Sequence, residues 1–279
     1  TPSGPPMTLI DVTALAGSLR DAAKAEILPR FRRLEPGTVK VKSNPTDLVT
    51  EADTEAEWAI KREVERRWPG TLVVGEESVA ADPALLGRLA AAEVAITVDP
   101  VDGTANFAAG LPLFAVMAAI VVRGETVGGI IYDPMGDDWM LAERGAGAWH
   151  RRPDGAEERL RVREPASLAD MIAHVSIAFL PPERKPEILA NLAKLRISAN
   201  YRVAGHDYRT FASGHAHCVM FNKLMPWDHL PGALISEEAG GHVRKFDGSP
   251  YRPADLRGGL LLATDAESWS LLRREVFTL

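Results

Sequence analysis

The sequence predicts an α+β fold in which helices are layered against antiparallel or mixed sheets. Helical and strand-like segments mix along the 279 residues without the regular alternation of a doubly wound parallel sheet. Two β-rich segments, at 114–122 and 126–132, are joined by the turn Arg123-Gly124-Glu125, which is typical of a hairpin. Hydrophobic residues make up 46% of the chain and charged residues 25%, as expected for a globular protein with a sizeable core.

Two helices are predicted near the start of the chain. Residues 8–28 have apolar side chains at four-residue steps, which indicates an amphipathic helix. These side chains belong to Leu15, Leu19, Ala23 and Ile27. Residues 54–68 follow as a second helix, because Thr54 and Glu57 fit a capping box and Pro69-Gly70 would end it.

The remaining elements are predicted from short β-branched runs and from periodic polar segments. Strands are expected at 71–74, 94–98, 114–122, 126–132, 139–143, 171–175, 197–203 and 216–221. Helices are expected at 184–194, 207–213 and 230–239. The polar stretch 145–163 contains Pro153-Asp154-Gly155 and is predicted to be a turn-rich excursion. We therefore expect two halves, residues 1–145 and 146–279, that together form one structural unit.

Charge and cysteine content exclude several classes of function. The net charge of −6 makes the chain a poor candidate for binding a nucleic-acid polymer or a membrane, which needs clustered Lys and Arg. The single cysteine, Cys218, allows no intrachain disulfide, and this fits a reducing cytoplasm. The longest apolar run, Leu111–Val122, is shorter than a spanning helix, and Thr1–Pro6 lacks a secretory pattern. We expect a cytoplasmic protein.

Four segments place carboxylates where the predicted structure changes. Two follow strands, one precedes the second helix and one opens a later helix. They are Asp47-Leu48-Val49-Thr50-Glu51-Ala52-Asp53, Gly75-Glu76-Glu77-Ser78, Asp99-Pro100-Val101-Asp102-Gly103-Thr104-Ala105-Asn106-Phe107 and Trp227-Asp228-His229-Leu230-Pro231-Gly232-Ala233. Their combination, in this order, is the strongest functional signal in the chain.

The third segment carries most of the chemistry. Pro100 keeps Asp99 extended, and Gly103 allows the backbone to turn sharply close to a ligand. Asp99 and Asp102 can then converge on one point with the carbonyl of Val101 between them. Hard divalent cations such as Mg²⁺ prefer this oxygen-only set, and the chain has no Cys-His cluster that would suggest structural zinc. If a helix begins near Thr104, its N–H groups would face a phosphate.

Each segment taken alone has a simpler interpretation. Asp-Pro-x-Asp-Gly is more often a surface turn than a metal site. Asp228 would most simply be a helix N-cap ahead of Pro231, and Asp53 would be a neighbour of an N-cap. His229, like the other histidines, is more often a loop or core residue than a ligand. The functional interpretation depends on all four segments occurring together.

That combination resembles the inositol monophosphatase family of metal-dependent phosphatases. The resemblance runs from Lys42 to Gly241 and is carried by Asp-Pro-Val-Asp-Gly-Thr-Ala-Asn-Phe together with Trp-Asp-x-x-Pro-Gly-Ala-Leu-Ile-x-x-Glu-Ala-Gly-Gly. It implies a layered α-β-α-β-α sandwich, a homodimer and hydrolysis of small phosphate esters with two or three Mg²⁺ ions. Lys42 matches a lysine that the family often has near the site.

The resemblance also implies a role for each matched residue. The implied metal ligands are Glu76, Asp99, the carbonyl of Val101, Asp102 and Asp228. The implied catalytic residues, which orient and deprotonate the attacking water, are Thr104, Asp53 and Glu76. The expected substrate- or phosphate-binding residues are Gly103, Thr104, Asp102, Asp207 and Asp228. Residues 1–145 would thus carry most metal ligands, and 146–279 would carry Asp228 and the substrate-reading region.

The region that would read the alcohol part of the substrate departs from the family pattern. Inositol-specific members have a glutamate seven residues before the aspartate that follows the tryptophan, and this chain has Phe221 there. Gly205–Arg209 also replaces a run of small residues. We hypothesise that Asp207 or Arg209 takes over substrate reading, and the alternative is that Asp207 caps the following helix.

Several functions therefore remain open. The leading one is hydrolysis of inositol-1-phosphate or of a related polyol or sugar phosphate. The enzymatic alternatives are a histidinol-phosphate phosphatase and a phosphatase of 3′-phosphoadenosine-type nucleotides, which would share the metal motifs. A metal-binding regulatory protein without catalysis is the remaining alternative, although it predicts the loss of at least one ligand or of the water-orienting pair.

Overall fold

The computed structural model describes residues 10–35, 37–42 and 48–279. Within them the α-helices are α1 (Val12–Ala22), α2 (Glu51–Arg67), α3 (Glu76–Ala81), α4 (Ala84–Leu89), α5 (Thr104–Ala108), α6 (Lys185–Leu192), α7 (Ala204–Ala212), α8 (Pro226–Glu238) and α9 (Ala266–Glu275). Shorter helical turns are a π-helical turn at Ala23–Ile27 and 3₁₀ turns at Leu28–Arg30 and Leu168–Asp170. The strands are β1 (Lys40–Val41), β2 (Leu48–Val49), β3 (Leu72–Gly75), β4 (Val94–Asp102), β5 (Ala115–Val122), β6 (Glu125–Asp133), β7 (Asp138–Glu143), β8 (Gly147–Arg151), β9 (Glu157–Arg159), β10 (Ile172–Val175), β11 (Ile197–Ala199), β12 (Cys218–Phe221), β13 (His242–Lys245) and β14 (Leu260–Ala263).

The first large sheet has seven strands in the order β3-β4-β5-β6-β7-β8-β9. Its first pair, β3 and β4, is parallel, and every following pair is antiparallel. The predicted hairpin is confirmed as β5 and β6. Its turn places Arg123 and Gly124 at φ of 50° and 79°, the left-handed conformation that tight hairpin turns require.

The second large sheet has five strands in the order β11-β10-β12-β14-β13. Strand β10 runs parallel to β11 and β12, whereas β14 is antiparallel to β12 and β13. Both sheets are therefore antiparallel or mixed, as the sequence predicts. A small pair, β1 with β2, lies outside them.

Helices cover both faces of each sheet and separate the two sheets. Leu15 and Leu19 of α1 and Ile60 of α2 are fully buried in one core with β4 and β5. A second core joins the opposite face of that sheet to α7, α8 and strands of the five-stranded sheet. A third core lies between the five-stranded sheet and the helices α6 and α9. The order α-β-α-β-α is thus confirmed.

Helix α2 begins before the predicted start, and its cap differs from the predicted one. The capping pair is Thr50 with Asp53, not Thr54 with Glu57. Asp53 Oδ2 accepts hydrogen bonds from Thr50 N and Oγ1 at 2.8 and 2.6 Å. Both pairs have the same spacing, so local sequence could not separate them. The difference leaves Glu57 free for another contact.

Residues 145–163 are not only a turn-rich excursion, since they contain β8 and β9. These strands extend the seven-stranded sheet as far as Arg159, and the turn at Gly155 has φ of 86°. The predicted division of the chain at residue 145 remains a prediction. Asp47 and the segment Thr1–Pro6 lie outside the described residues. Among the described helices, none is both long and apolar enough to cross a bilayer.

Three boundaries near the site also differ from prediction. The strand predicted at 197–203 ends at Ala199, and α7 begins at Ala204 rather than at Asp207. Helix α8 begins at Pro226, ahead of the predicted start. Asp207 and Asp228 therefore lie inside their helices, and neither is an N-cap.

Candidate active site: a cleft with an acidic end and a basic end

A cleft of about 280 Å³ brings the predicted site residues together with side chains that the motifs do not include. One set of its lining residues comprises Glu76, Asp99, Val101, Asp102, Gly103, Thr104 and Asp228, and we call this set the acidic end. Another set comprises Ser176, Phe179, Asn200, Arg202, Phe221 and Lys223, and we call this set the basic end. The cleft therefore joins the two halves of the sequence in one site.

A bulge in β4 directs Asp99 and Asp102 into the cleft. The strand continues through Pro100, and its pairing with β5 shifts register between Asp99 and Asp102. A bulge re-aims side chains and bends the strand. Asp99 Oδ1 accepts a hydrogen bond from Val101 N at 3.0 Å. Proline tolerates this position because a bulge does not need its missing N–H.

Gly103 turns the chain from β4 into α5. Its φ is 87°, and a Cβ there would lie 3.1 Å from the side chain of Val203. Thr104, the next residue, places its hydroxyl 2.9 Å from Asp53 Oδ1 and 2.9 Å from the carbonyl oxygen of Val101. The predicted pair of Asp53 and Thr104 is therefore in direct contact at the acidic end.

Asp53 links helix capping to this contact. One carboxylate oxygen accepts from Thr50 and the other accepts from Thr104, so the cap fixes the orientation of the group that meets Thr104. Burial raises the pKa of Asp53 to about 6, although the hydrogen bonds from Thr50 and Thr104 oppose this rise. An aspartate with a pKa near 6 can accept a proton from a neighbouring group near neutral pH.

The half-buried Glu76 is placed by a buried glutamate, Glu57, to which the sequence pattern assigned the wrong role. Glu57 is 3% exposed, and it accepts hydrogen bonds from Glu77 N at 2.7 Å, Ser78 N at 2.8 Å and the Ser78 hydroxyl. It thereby satisfies N–H groups at the start of α3, whose first residue is Glu76. A Cβ at Gly75 would clash with the Glu57 carboxylate.

A signal for Glu57 was present in the sequence. Glu57 lies on the buried face of α2 with Ala56, Ile60 and Val64. A carboxylate on an apolar helix face needs hydrogen-bond partners from another element, because burial without them is costly. That position, rather than the capping pattern, points to its contact with α3.

Lys42 is the cation nearest to Glu76. Its Nζ lies 2.8 Å from Glu76 Oε1 and also contacts Glu77. Burial disfavours the charged form of Lys42, but these two carboxylates outweigh burial and hold its pKa above the usual value. The position that the resemblance singled out is therefore next to the acidic end.

Asp102 connects the acidic end to α7. Its carboxylate accepts hydrogen bonds from Ala204 N at 3.1 Å and Gly205 N at 2.5 Å. The N-terminus of a helix favours a carboxylate, because its first N–H groups lack partners within the helix. A Cβ at Gly205 would lie 2.8 Å from Ala115 Cβ, so only glycine allows this approach.

Asp228 reaches the cleft from the first turn of α8, behind Pro226. Burial and the charges of Glu76, Asp102 and Asp228 raise the pKa of Asp99 well above its usual value. Burial and the charge of Glu76 raise the pKa of Asp228 to about 6. These carboxylates repel one another, and the acidic end is short of positive charge.

The donor set fits a hard divalent cation. Among the described residues, no three His, Cys, Asp or Glu side chains already form a closed metal-binding group. The fit comes from the chemistry instead, because the carboxylates are oxygen donors whose raised pKa values would fall next to a positive ion. The residues that would hold such an ion are Glu76, Asp99, the Val101 carbonyl, Asp102 and Asp228.

Asp207 lines the cleft but is not a free substrate-reading group. It is 4% exposed and shares a hydrogen bond of 2.7 Å with the buried ring of His174. Burial raises its pKa. Because α7 begins at Ala204, the alternative that Asp207 caps this helix is wrong. Its predicted part in substrate binding remains a prediction.

Arg209 does not face the cleft. Its guanidinium lies 2.5 Å from Asp138 of β7 and 4.0 Å from Asp133 of β6, between α7 and the seven-stranded sheet. The hypothesis that Arg209 replaces the missing glutamate is therefore wrong. The helical position alone could not show which sheet the side chain would meet.

Phe221 brings an apolar ring to the position of the missing glutamate. Its ring packs 4.5 Å from His229 and 5.0 Å from Tyr208. His229 is fixed by Tyr208 Oη at 3.1 Å and by the Lys223 carbonyl at 2.8 Å. The carbonyl can only accept, so His229 Nε2 carries the proton and Nδ1 accepts from the tyrosine. Burial lowers the pKa of His229 to about 3, and the ring is neutral.

Comparison with known proteins agrees with this architecture and with the sequence motifs. Residues 9–275 match the model of the inositol monophosphatase family. The inositol-1-monophosphatase of Bacillus subtilis is 30% identical over 77% of this chain and 78% of its own. The Nus factor SuhB of Pasteurella multocida is 32% identical over 83% of this chain and 84% of its own.

Solved structures give the same result for the fold. An IMPase of Thermotoga maritima superposes with a TM-score of 0.78 at 25% identity, over 95% of this chain and 94% of the other. A SuhB protein of Bartonella henselae superposes with a TM-score of 0.77 at 27% identity, over 95% and 96%. With the motifs, the layered fold and these matches together, the chain belongs to the inositol monophosphatase family of phosphoric monoester hydrolases.

Proposed function

We propose that the protein hydrolyses a small phosphate monoester, a polyol or sugar phosphate of the inositol-1-phosphate type, in a reaction that requires Mg²⁺. The observation that carries this proposal is the contact of Asp53 with Thr104 beside the carboxylates of Glu76, Asp99, Asp102 and Asp228. It supports catalysis over metal binding alone, because a regulatory metal site needs no group to orient water.

The residues of the site would have separate roles in binding the phosphate and activating water. Bound Mg²⁺, in two or three ions, would neutralise the phosphate and acidify water. The Thr104 hydroxyl would hold the attacking water, and Asp53 would accept a proton through Thr104. Glu76 would take part in the same proton transfer, held in place by Glu57 and Lys42. Backbone N–H groups of Gly103 and Thr104 would contact the phosphate.

Relatives support the substrate class. SaIMPase-II has been crystallised with inositol monophosphate bound and with 2′-AMP bound, in structures that match this chain with TM-scores of 0.77. Both ligands are small phosphate esters. The single cysteine, which fits a reducing compartment, leads us to propose a protein of the cytoplasm, and the family resemblance leads us to propose a homodimer.

The test is phosphate release from a panel of inositol, sugar, histidinol and nucleotide monophosphates. The wild type is assayed with Mg²⁺, with EDTA, and with Mg²⁺ restored after EDTA. We expect turnover of at least one polyol or sugar phosphate that EDTA abolishes and Mg²⁺ restores. An absence of phosphate release across the whole panel, while Mg²⁺ still raises the unfolding temperature, would instead favour the non-catalytic alternative.

A further inference from the structure

We propose that the outer edge of strand β3 and the neighbouring face of helix α2 bind an extended acidic segment of a partner protein, which adds a strand to the seven-stranded sheet. We call this surface the α2–β3 groove. It is lined by Trp58, Lys61, Arg62, Glu65, Thr71 and Val73. These six residues are separate from those that line the catalytic cleft, so the inference goes beyond the proposed function.

The α2–β3 groove is large enough to hold side chains of a partner. Its volume is about 310 Å³, compared with about 280 Å³ for the catalytic cleft, and this lies within the range of ligand pockets. One wall is a face of α2 whose residues are spaced by three and four positions, namely Trp58, Lys61, Arg62 and Glu65. The other wall is the start of β3, where the buried Val73 belongs to the same core as helix α2.

Strand β3 is an open edge of the seven-stranded sheet. It comes first in the strand order, and β4 is its one partner among the described strands. A strand at the end of a sheet leaves the backbone N–H and C=O groups of its outer side without strand partners. An extended peptide can pair with such groups, and its alternate side chains then contact the surfaces that flank the strand. Because α2 flanks β3, every second side chain of that peptide would meet the groove.

Trp58 is the aromatic anchor of the groove. It is 62% exposed, the highest value among the large exposed apolar residues of the described chain. The guanidinium carbon of Arg62, one turn further along α2, lies 5.0 Å from the centroid of the indole ring. A single exposed apolar residue is ordinary on a protein surface, but this one borders both a cavity and an open strand edge. Tryptophan and arginine are also the residues that most often dominate binding at protein interfaces.

The charges of the groove favour an acidic partner. Within the described residues neither Lys61 nor Arg62 forms an ion pair, whereas Arg66 on the same helix pairs with Glu63. Of the charged residues in the groove, two are cations and one, Glu65, is a carboxylate. The groove is therefore positive on a protein whose net charge is −6. Complementary charge of this kind speeds association and excludes partners of the wrong sign.

A peptide fits the groove better than a nucleic acid does. A nucleic acid would meet the same two cations, but it has no peptide groups that could pair with β3. An extended peptide with acidic and aromatic side chains at alternate positions would meet the strand edge, the cations and the indole ring together.

The experiment selects binders from a library of random heptapeptides displayed on phage. Selections are run in parallel on the wild type, on K61Q/R62Q and on the control R152Q/R257Q, which removes two exposed arginines outside the groove. On the wild type and the control we expect enrichment of heptapeptides that place Asp or Glu and an aromatic residue at alternate positions. Affinities of the enriched peptides are then measured by fluorescence anisotropy.

The variants should separate the contributions of the ring and of the charges. W58A should weaken binding at least about tenfold, as expected for an interface hot spot. K61Q/R62Q should weaken it about tenfold and remove most of its salt dependence, because exposed charges are screened by salt. R152Q/R257Q should bind like the wild type. Unfolding temperature and phosphate release should stay unchanged in all these variants, so the outcome is independent of the proposed function.

Methylation of the peptide backbone tests strand pairing directly. In an added strand, successive N–H groups alternate between the edge that pairs with β3 and the edge that faces away. N-methylation at one set of alternate residues should therefore abolish binding, whereas N-methylation at the other set should leave it intact.

Several results would overturn the inference. They are an absence of enriched peptides, enriched peptides that bind W58A and K61Q/R62Q as tightly as the wild type, and tolerance of N-methylation at both sets of residues. Binding of a labelled ten-nucleotide oligouridylate that K61Q/R62Q abolishes, without any peptide binding, would assign the groove to RNA. An oligomer that W58A dissociates in sedimentation, again without peptide binding, would assign it to a second copy of the chain.

Discussion

The aspartates of the acidic end are buried and bonded into the fold, whereas the two cations of the basic end are exposed, and their polar contacts are made by their backbone. Asp99 is 2% exposed and Asp102 is 7% exposed, and Asp53 is fully buried. Arg202 and Lys223 are exposed side chains. At the acidic end, the hydrogen bonds that stabilise the fold also position the functional groups. At the basic end, a side chain can be substituted without changing the backbone contacts that hold its residue in place.

This difference predicts how substitutions will act. Changes at the acidic end should lower turnover of every substrate, because they alter the groups that meet the reacting phosphate. Changes at the basic end should alter the choice among substrates. The following predictions probe this contrast, beginning with the largest expected effect.

Asp99→Asn should nearly abolish turnover. The variant loses a carboxylate that lines the cleft. Losing metal-dependent charge stabilisation of several kcal/mol lowers kcat about a thousandfold or more. The same change should raise the unfolding temperature of the metal-free protein, because the raised pKa of Asp99 means that its charge is unfavourable in the fold. Activity is measured by phosphate release and stability by thermal unfolding in EDTA.

The matched control for Asp99→Asn is Asp21→Asn, at an exposed position on α1. It should change neither activity nor unfolding temperature. Mg²⁺-dependent turnover near the wild-type level in Asp99→Asn would contradict the assignment of the acidic end.

Thr104→Ala should lower kcat by about a hundredfold. This is near the lower limit of the rate enhancement that a positioned general base usually contributes. It removes the hydroxyl between Asp53 and the cleft but leaves the capping contacts of Asp53 with Thr50 intact. Thr104→Ser keeps the hydroxyl and should recover most of kcat. If the alanine and serine variants have the same kcat, the hydroxyl has no part in turnover.

Glu57→Gln should have a smaller effect of about 10–100-fold on activity or on the Mg²⁺ concentration required, as is usual when a partner of a metal ligand is changed. The amide places its NH2 group against the N–H group of either Glu77 or Ser78, and its oxygen can accept only from the other, so α3 and Glu76 lose part of their support. The control is Glu55→Gln on the exposed face of the same helix. Unchanged Mg²⁺ dependence in Glu57→Gln would show that Glu76 holds its place without this contact.

Sequence alone could predict the acidic end because its residues lie in short contiguous motifs. Asp99, Val101, Asp102 and Thr104 fall within six consecutive residues, at the end of β4 and the start of α5. The layered fold follows from element types and the family resemblance. The order of strands in the two sheets was not predictable in this way, because pairing depends on contacts between distant segments.

The basic end was missed because its properties are tertiary. The left-handed conformation of Arg202 depends on Asn200 and Asn106, and the latter lies in a distant motif. The sequence pattern suggests Arg209 for substrate reading, yet Asp138 of β7 binds it. Glu57 fitted a capping pattern equally well as Asp53 did. In each case a local pattern allowed two outcomes, and a contact from another layer decided between them.

His229 also lines the cleft, and it gives the smallest predicted effect, which is an effect on stability. Its pKa is lowered to about 3 by burial, whereas an unfolded histidine titrates near 6.5. Between these values the unfolded chain binds a proton that the folded protein does not, so stability is present above pH 6.5 and falls as pH decreases. From pH 7 to pH 5 this group should remove about 2 kcal/mol from the free energy of unfolding.

The variant His229→Gln should lack that part of the loss, whereas the control variant His215→Gln, at an exposed position, should retain it. Urea unfolding at both pH values measures the difference, and equal pH dependence in wild type and His229→Gln would mean that the imidazole is charged inside the fold, contrary to its bonds with Tyr208 and the Lys223 carbonyl.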